Sequence, residues 1–347
     1  MPTARDARQP GLPPRRLLPF AILVLFLKVP VWAAPGATSL DFLRIDMAPR
    51  PAALGGAFTG LADDANAIAY NPAGLAPLRL SEASLAHNAF INGVQQNYLA
   101  FAMPSPRWGS LGLSANVMNV SPFDSFDNND QPTGSVSAQD TALSAAYAFQ
   151  WERLALGASG KYIASRLENV RADATAFDAG GLWTVNENLR LGVSVLNLGS
   201  RVRYISDRYP LPLMGRLGAS YRTKLPFTSL PLTLSADGVF PRARSPYACA
   251  GVEFHPLDMA ALRVGYEGSG GAGSGVTAGA GLKLFGAPTD EFARSTFGDA
   301  IVDSLELDYA FVDMGALGNA NRFGLILRFG RDVRTVEEDS KDPGDLW

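Results

Sequence analysis

Residues 110–119 read SLGLSANVMN and residues 189–197 read LRLGVSVLN. In the first stretch Leu111, Leu113, Ala115 and Val117 alternate with Ser110, Gly112, Ser114 and Asn116. In the second, Leu189, Leu191, Val193 and Val195 alternate with Arg190, Gly192 and Ser194. A helix would scatter these apolar positions around its axis. A strand sends successive side chains to opposite faces, so a period of two gathers them on one face.

The same alternation recurs outward from these stretches almost to the end of the chain. It is plain at 141–149, at 305–311 and in the last segment, where Phe323, Leu325, Leu327 and Phe329 oppose Arg322, Gly324, Ile326 and Arg328. Further segments lie near 83–90, 96–103, 153–166, 174–185, 213–223, 231–240, 246–255, 260–267 and 275–284. Together they make about fourteen strands. Charged residues are sparse at 18% and glycines number 35, a composition that suits a sheet with one face in lipid. A bilayer demands that every backbone N–H and C=O be paired, which a closed sheet achieves without an edge. The expected fold is therefore all-β, a transmembrane antiparallel β-barrel of about fourteen strands.

The connections support this reading. Short ones at 104–109, 150–153, 186–188 and 255–259 alternate with longer polar ones at 120–135, 167–173, 199–212 and 267–275. That is the pattern of periplasmic turns and extracellular loops. The stretches 223–231 and 285–304 break the rule. A soluble β-sandwich would alternate as well, but it would not explain Trp108, Trp151, Trp183, Tyr98 and Tyr162 near strand ends, as in a membrane-interface belt.

Residues 1–33 read as a signal peptide. Arg5, Arg8, Arg15 and Arg16 precede an apolar run broken by Pro19, Lys28 and Pro30, and small residues follow near Ala33. The clean stretch Phe20–Leu27 is too short for a spanning helix. Cleavage near Ala33 would route the chain to the bacterial outer membrane. The whole chain has a formal charge of −3, and losing this basic piece leaves it more acidic. Nucleic acid is excluded as a partner, because binding it needs a basic surface. Cys249 stands alone, so neither an intrachain disulfide nor a cysteine-based zinc site can form.

Residues 41–80 do not alternate. They read DFLRIDMAPRPAALGGAFTGLADDANAIAYNPAGLAPLRL. Asp63 and Asp64 precede a helical-looking run at Ala65–Tyr70, which Asn71-Pro72 ends. This segment resembles the opening of the PorV/PorQ family within the FadL-like outer-membrane barrels. The matching pieces are Phe42-Leu43, Ile45, Ala52-Ala53, Gly55–Thr59, Ala62–Ala65 and Asn71–Ala76. The stretches LNLG at 196–199, AALRVGY at 260–266, DYAFV at 308–312 and GNANRFGLILRF at 318–329 resemble the family's later strands.

The resemblance implies fourteen strands over 81–330 and a small N-terminal hatch, residues 34–80, inserted in the lumen. It singles out Gly55, Gly56, Asp63, Asp64, Asn71, Pro72, Ala73 and Gly74 as the hatch motif. Asn71-Pro72 then either holds a tight turn or gates the passage. Passive transport of small, hydrophobic molecules is implied. The alternatives are a type IX-like accessory that holds secreted cargo proteins at the surface, and a structural envelope barrel. One departure is the polar stretch after Phe329, expected as a disordered periplasmic tail over 331–347.

Chemistry is thin elsewhere. The two histidines are His87 and His255. Ser84 lies three residues from His87, so the pair points to opposite faces of a strand and offers no nucleophile–base contact. Glu253 and His255 share a face but lack a third metal ligand. The glycine-rich 268–275 lacks the Lys-Ser/Thr of a phosphate loop. Asp63-Asp64 suits a helix N-terminus better than a cation site. The chain is read as a non-enzyme without cofactor or metal. Arg201, Arg203 and Arg208 fall in an extracellular loop, either solvated or holding lipopolysaccharide. Lys161, Asp237, Arg263, Lys283, Glu306 and Asp308 fall on lumen faces, either bracing the wall or filtering solutes. The partners expected are outer-membrane lipid and lipopolysaccharide, with hydrophobic small molecules or secreted cargo proteins. The oligomeric state is left open.

Overall fold

Alternation translates directly into two faces of one sheet. The structure, a computed structural model, describes residues 38–333 except 128, 205–206, 226–227, 271–272, 285–301 and 316–317. The expected signal peptide and residues 334–347 of the expected tail lie outside the described residues.

The strands are β1 (Ser81–Ala89), β2 (Val94–Ser105), β3 (Gly109–Phe126), β4 (Pro132–Trp151), β5 (Leu154–Leu167) and β6 (Val170–Thr184). They continue with β7 (Leu189–Gly199), β8 (Arg201–Tyr204), β9 (Asp207–Pro210), β10 (Met214–Lys224) and β11 (Pro231–Pro241). The last are β12 (Tyr247–Leu257), β13 (Ala260–Glu267), β14 (Val276–Lys283), β15 (Val302–Asp313) and β16 (Asn319–Phe329). Among the described residues, all but β8 and β9 form one closed antiparallel barrel of fourteen strands, each beside its chain neighbour, with β7 paired to β10. The seam joins the first strand to the last, with Ser81 opposite Phe329 and Ala89 opposite Asn321. No sheet edge remains, as a lipid-embedded sheet requires.

Side chains sort as the period dictates. Leu113 (59% exposed), Val193 (48%) and Leu262 (51%) face outward with no protein to cover them. Their chain neighbours Gly112, Ser194 and Arg263 face the lumen. An apolar outer face is the surface chemistry of a barrel wetted by lipid.

Two expected loops are structured instead. The 120–135 stretch is mostly strand, because β3 and β4 continue as a long hairpin past a register break between Val120 and Phe123. Pro122 sits in that break, where a missing N–H leaves no ladder bond unmade. Residues 199–212 contain the separate hairpin β8–β9.

Ser81 and Phe329 define the terminal end of the barrel; the β3–β4, β5–β6 and β8–β9 turns lie at the other, distal end. Residues 40–78 run between the two ends within the ring of lumen-facing side chains. Their helices are short, α1 (Pro49–Ala53) and α2 (Ala67–Tyr70), with 3-10 turns at Asp41–Arg44 and Pro72–Leu75. Proline opens α1, where its absent N–H costs nothing. The expected helix over Ala65–Tyr70 thus begins only at Ala67.

Candidate functional site in the barrel lumen

The small residues of the lumen face exist to receive residues 40–78. A Cβ on Gly218 of β10 would stand 2.6 Å from the Gly60 nitrogen, and one on Gly251 of β12 would stand 2.7 Å from Leu54 Cβ. The wall and the segment meet backbone to backbone, at a separation only glycine allows. Small side chains on a lumen face would also leave room for a channel. Between the terminal end and mid-barrel that room is filled: Leu54, Phe58, Leu61, Ile68 and Leu75 are essentially inaccessible.

Charge fixes the segment in place. Arg50 of α1 donates to Asp63 at 2.7 Å and to Asp64 at 3.0 Å, and grips Glu253 of β12 through two more bonds. Glu253 also receives Arg263 of β13 at 2.7 Å. Arg263 bonds Asp308 and Glu306 of β15, and Glu306 receives Arg328 of β16 at 2.9 Å. Arg328 in turn holds Glu82 of β1, whose other oxygen accepts the Ala65 backbone N–H at 2.8 Å. One connected network therefore runs from the segment to the wall and back. Buried charges persist only when paired and hydrogen-bonded in this way.

The acidic pair of the motif splits electrostatically. Burial raises the Asp63 carboxyl, but Arg50, Arg222 and Arg190 outweigh it and hold the group below the ordinary carboxylate range. Burial pushes Asp64 up, and Arg50 does not fully offset it. α2 itself starts at Ala67, with Asn66 as its N-cap; Asp64 Oδ1 accepts the Asn66 N–H at 2.9 Å just ahead of it, and Arg50 pairs with both aspartates.

A turn at Leu54–Gly60 forms the upper layer. Gly55 and Gly56 take left-handed φ values of +64° and +79°. A side chain at Gly55 would meet the Tyr266 backbone as well. Asp237 of β11 accepts the N–H groups of Phe58 (3.2 Å) and Thr59 (2.9 Å) through one oxygen. Arg216 of β10 bonds the same oxygen at 3.0 Å, Thr59 Oγ1 at 2.9 Å and the Gly56 carbonyl. Lower down, Asn71 Oδ1 caps the Pro72–Leu75 turn at the Ala73 N–H, while Nδ2 donates to the Thr59 carbonyl (2.9 Å) and to Gly181 on β6 (3.1 Å). Asn71-Pro72 is thus a turn pinned to both segment and wall. Ala73 and Gly74 are buried within it.

Above this turn, toward the distal end, lies a cavity of about 730 Å³. Ile45, Phe90, Val94, Met118, Val120 and Tyr247 supply apolar wall, and Gly55-Gly56 lie on its floor. Arg216, Arg322, Asp46 and Glu267 bring charge to it. Leu40 and Phe42 pack under β8–β9 with Val202 and Leu211, closing one side.

Of the lumen charges expected from sequence, Arg263, Glu306 and Asp308 are in the network and Asp237 holds the turn. Lys161 pairs with Asp178 at 2.7 Å and donates to Asn197. Lys283 faces inward at the end of β14, opposite Glu306 in the ladder. Ser84 and His87 do face opposite ways, Ser84 bonding Asn66 inside and His87 lying outside. Sequence reading missed Arg50, Arg216, Glu82 and Arg328 as anchors. The available signal was a lone arginine among small apolar residues, and arginines within otherwise small lumen faces.

Comparisons with known proteins agree with this architecture. Residues 34–168 match the model of an uncharacterised protein family, UPF0164. A UPF0164 protein of Treponema pallidum (strain Nichols) is 27% identical over 193 residues, which is 52% of this chain and 45% of that relative, so under half of the relative's length is spanned. Among solved structures, the Ralstonia pickettii toluene transporter TbuX is similar at a TM-score of 0.53 and 13% identity, covering 82% of this chain and 98% of that one. A Pseudomonas aeruginosa FadL homologue gives 0.50 and 12%, covering 83% and 98%. The monoaromatic hydrocarbon channel CymD gives 0.51 and 12%, covering 85% and 99%. At such identities the likeness concerns the fold. The barrel is FadL-like, as the sequence resemblance implied; the PorV/PorQ name is not among these matches.

Proposed function

We propose that this chain is an outer-membrane channel for small hydrophobic molecules, entered at the distal cavity, with residues 34–80 serving as its hatch. The observation that carries the reading is the cavity of about 730 Å³ lying on the glycine turn of the segment, with apolar wall from Ile45, Phe90, Val94, Met118 and Val120 beside its charged residues. That volume suits a small organic ligand. Two proteins of similar fold, a toluene transporter and a monoaromatic hydrocarbon channel, support the same class.

Passage requires the floor to yield. The lower layer is bound by the charge network and stays docked. Leu54–Gly60 carries two left-handed glycines and is held mainly by Asp237 and Arg216, so it is the piece that moves.

The test is uptake of radiolabelled toluene by cells whose outer membrane is otherwise tight. Expression of the chain should accelerate uptake, and Met118→Arg with Val120→Arg in the cavity wall should abolish the gain. Equal uptake with and without the chain would refute the proposal.

A further inference from the structure

The β5–β6 hairpin sets two arginines face to face. Arg166 and Arg171 are directly opposed in the antiparallel ladder, on the outer face, and both are exposed. Like charges directly across a strand pair destabilise it. The adjoining hairpin repeats the arrangement: Arg208 stands opposite Arg203, and Arg201 shares their face. The two hairpins are joined, since Ser200 exchanges hydrogen bonds with Thr175 of β6.

Their orientation follows from packing. Val202 of β8 is fully buried in a cluster with Ala172, Ala174 and Ala176 on the lumen side of β6. The arginine faces are the opposite faces, so both look out from the barrel. Within 4.0 Å, none of Arg166, Arg171, Arg201 and Arg208 has a carboxylate partner among the described residues. The neighbouring Asp173 is engaged by the Tyr162 hydroxyl at 2.8 Å. Beneath the arginines the outer wall is apolar, with Tyr162, Phe177 and Leu198 each about half exposed.

A basic rim above a lipid-facing wall matches one kind of molecule. We infer that the rim binds the phosphate groups of a phosphorylated lipid of the outer leaflet, whose acyl chains lie along that wall. Guanidinium forks fit phosphate oxygens bidentately, and a dianion bridging Arg166 and Arg171 converts their repulsion into attraction. This site lies outside the lumen and stands whether or not the channel proposal does.

The full chain in neutral detergent is titrated with bisphosphorylated lipid A, phosphatidylcholine and inorganic phosphate. Lipid A should bind at least about tenfold more tightly than phosphatidylcholine and weaken with salt. The double variants Arg166→Gln/Arg171→Gln and Arg201→Gln/Arg208→Gln should each lose about tenfold or more. Without lipid, the Arg166→Gln/Arg171→Gln variant should melt at the wild-type temperature or above it, because a repulsion has been removed. Unchanged lipid A binding in both variants, equal binding of phosphatidylcholine, or a lower lipid-free melting temperature would each overturn the inference. Complete displacement of lipid A by an equal concentration of inorganic phosphate would overturn the lipid as its source.

Discussion

Arg50 closes a two-pronged fork on Glu253, with Nε 2.8 Å from one carboxylate oxygen and Nη2 3.0 Å from the other. The two residues stand 203 positions apart in sequence, and the fork ties α1 to the wall. Arg50→Met removes the cation that also holds Asp63 and Asp64. Breaking a buried pair on one side costs about 3–5 kcal/mol, because the abandoned charges stay buried. Hydrogen exchange in residues 40–78 should accelerate sharply while the barrel strands stay protected. Unaltered protection of the segment would show that the fork does not hold it.

The fit between wall and segment gives a matched pair of glycine substitutions. Gly218→Val drives a side chain into the Gly60 backbone, 2.6 Å from its nitrogen even at Cβ. Gly160 on β5 has nothing within 4 Å of its would-be Cβ. Gly218→Val should expose the segment to protease in the folded barrel. Gly160→Val should stay within about 0.5 kcal/mol of wild type, as ordinary surface changes do. Similar protease sensitivity in the two variants would remove the argument that lumen glycines exist for this contact.

The strands were legible because alternation survives in any single stretch, and fourteen segments emerged from it. The outer halves of β3 and β4 were not legible, since beyond the lipid both faces turn polar. SPFDSFDNNDQPTG then reads as loop although much of it is strand. The motif glycines and Asn71 could be named from the resemblance. Their partners could not: Asn71 with Gly181, or Arg216 with Thr59, meet only after the sheet closes, and no local pattern encodes which lumen arginine faces which segment carbonyl.

The two motif aspartates should respond oppositely to neutralisation. Asp63 is held below its ordinary value, so its contribution to docking is complete above about pH 3.9 and fades as pH falls through the lower docked value. Asp64 is raised by burial, so its ionised form weighs against docking above that raised value. At pH 7, Asp63→Asn should weaken the docked segment by about 2–3 kcal/mol. Asp64→Asn should leave it unchanged or strengthen it. Hydrogen exchange of the two variants across pH 3–7 tests both signs, and the Asp63→Asn difference should shrink toward the acid end.

Asp237 and Arg216 together hold the turn that floors the cavity, so the proposed gate can be tested apart from the barrel. Removing Asp237 alone would strand a buried guanidinium, so the informative variant is Asp237→Ala with Arg216→Met. Removing both partners of a buried pair is far less costly than removing one. The double variant gives up the bonds to Phe58, Thr59 and Gly56 but leaves Arg50, Glu253 and the lower network intact. It should therefore retain its fold and melt near wild type, yet pass toluene faster and show a higher conductance in planar bilayers. Arg50→Met, which loosens the lower layer, should be less specific and lower the melting temperature as well. If the double variant folds, melts as wild type and remains equally closed, Leu54–Gly60 is a fixed floor, and passage must skirt it through another part of the lumen.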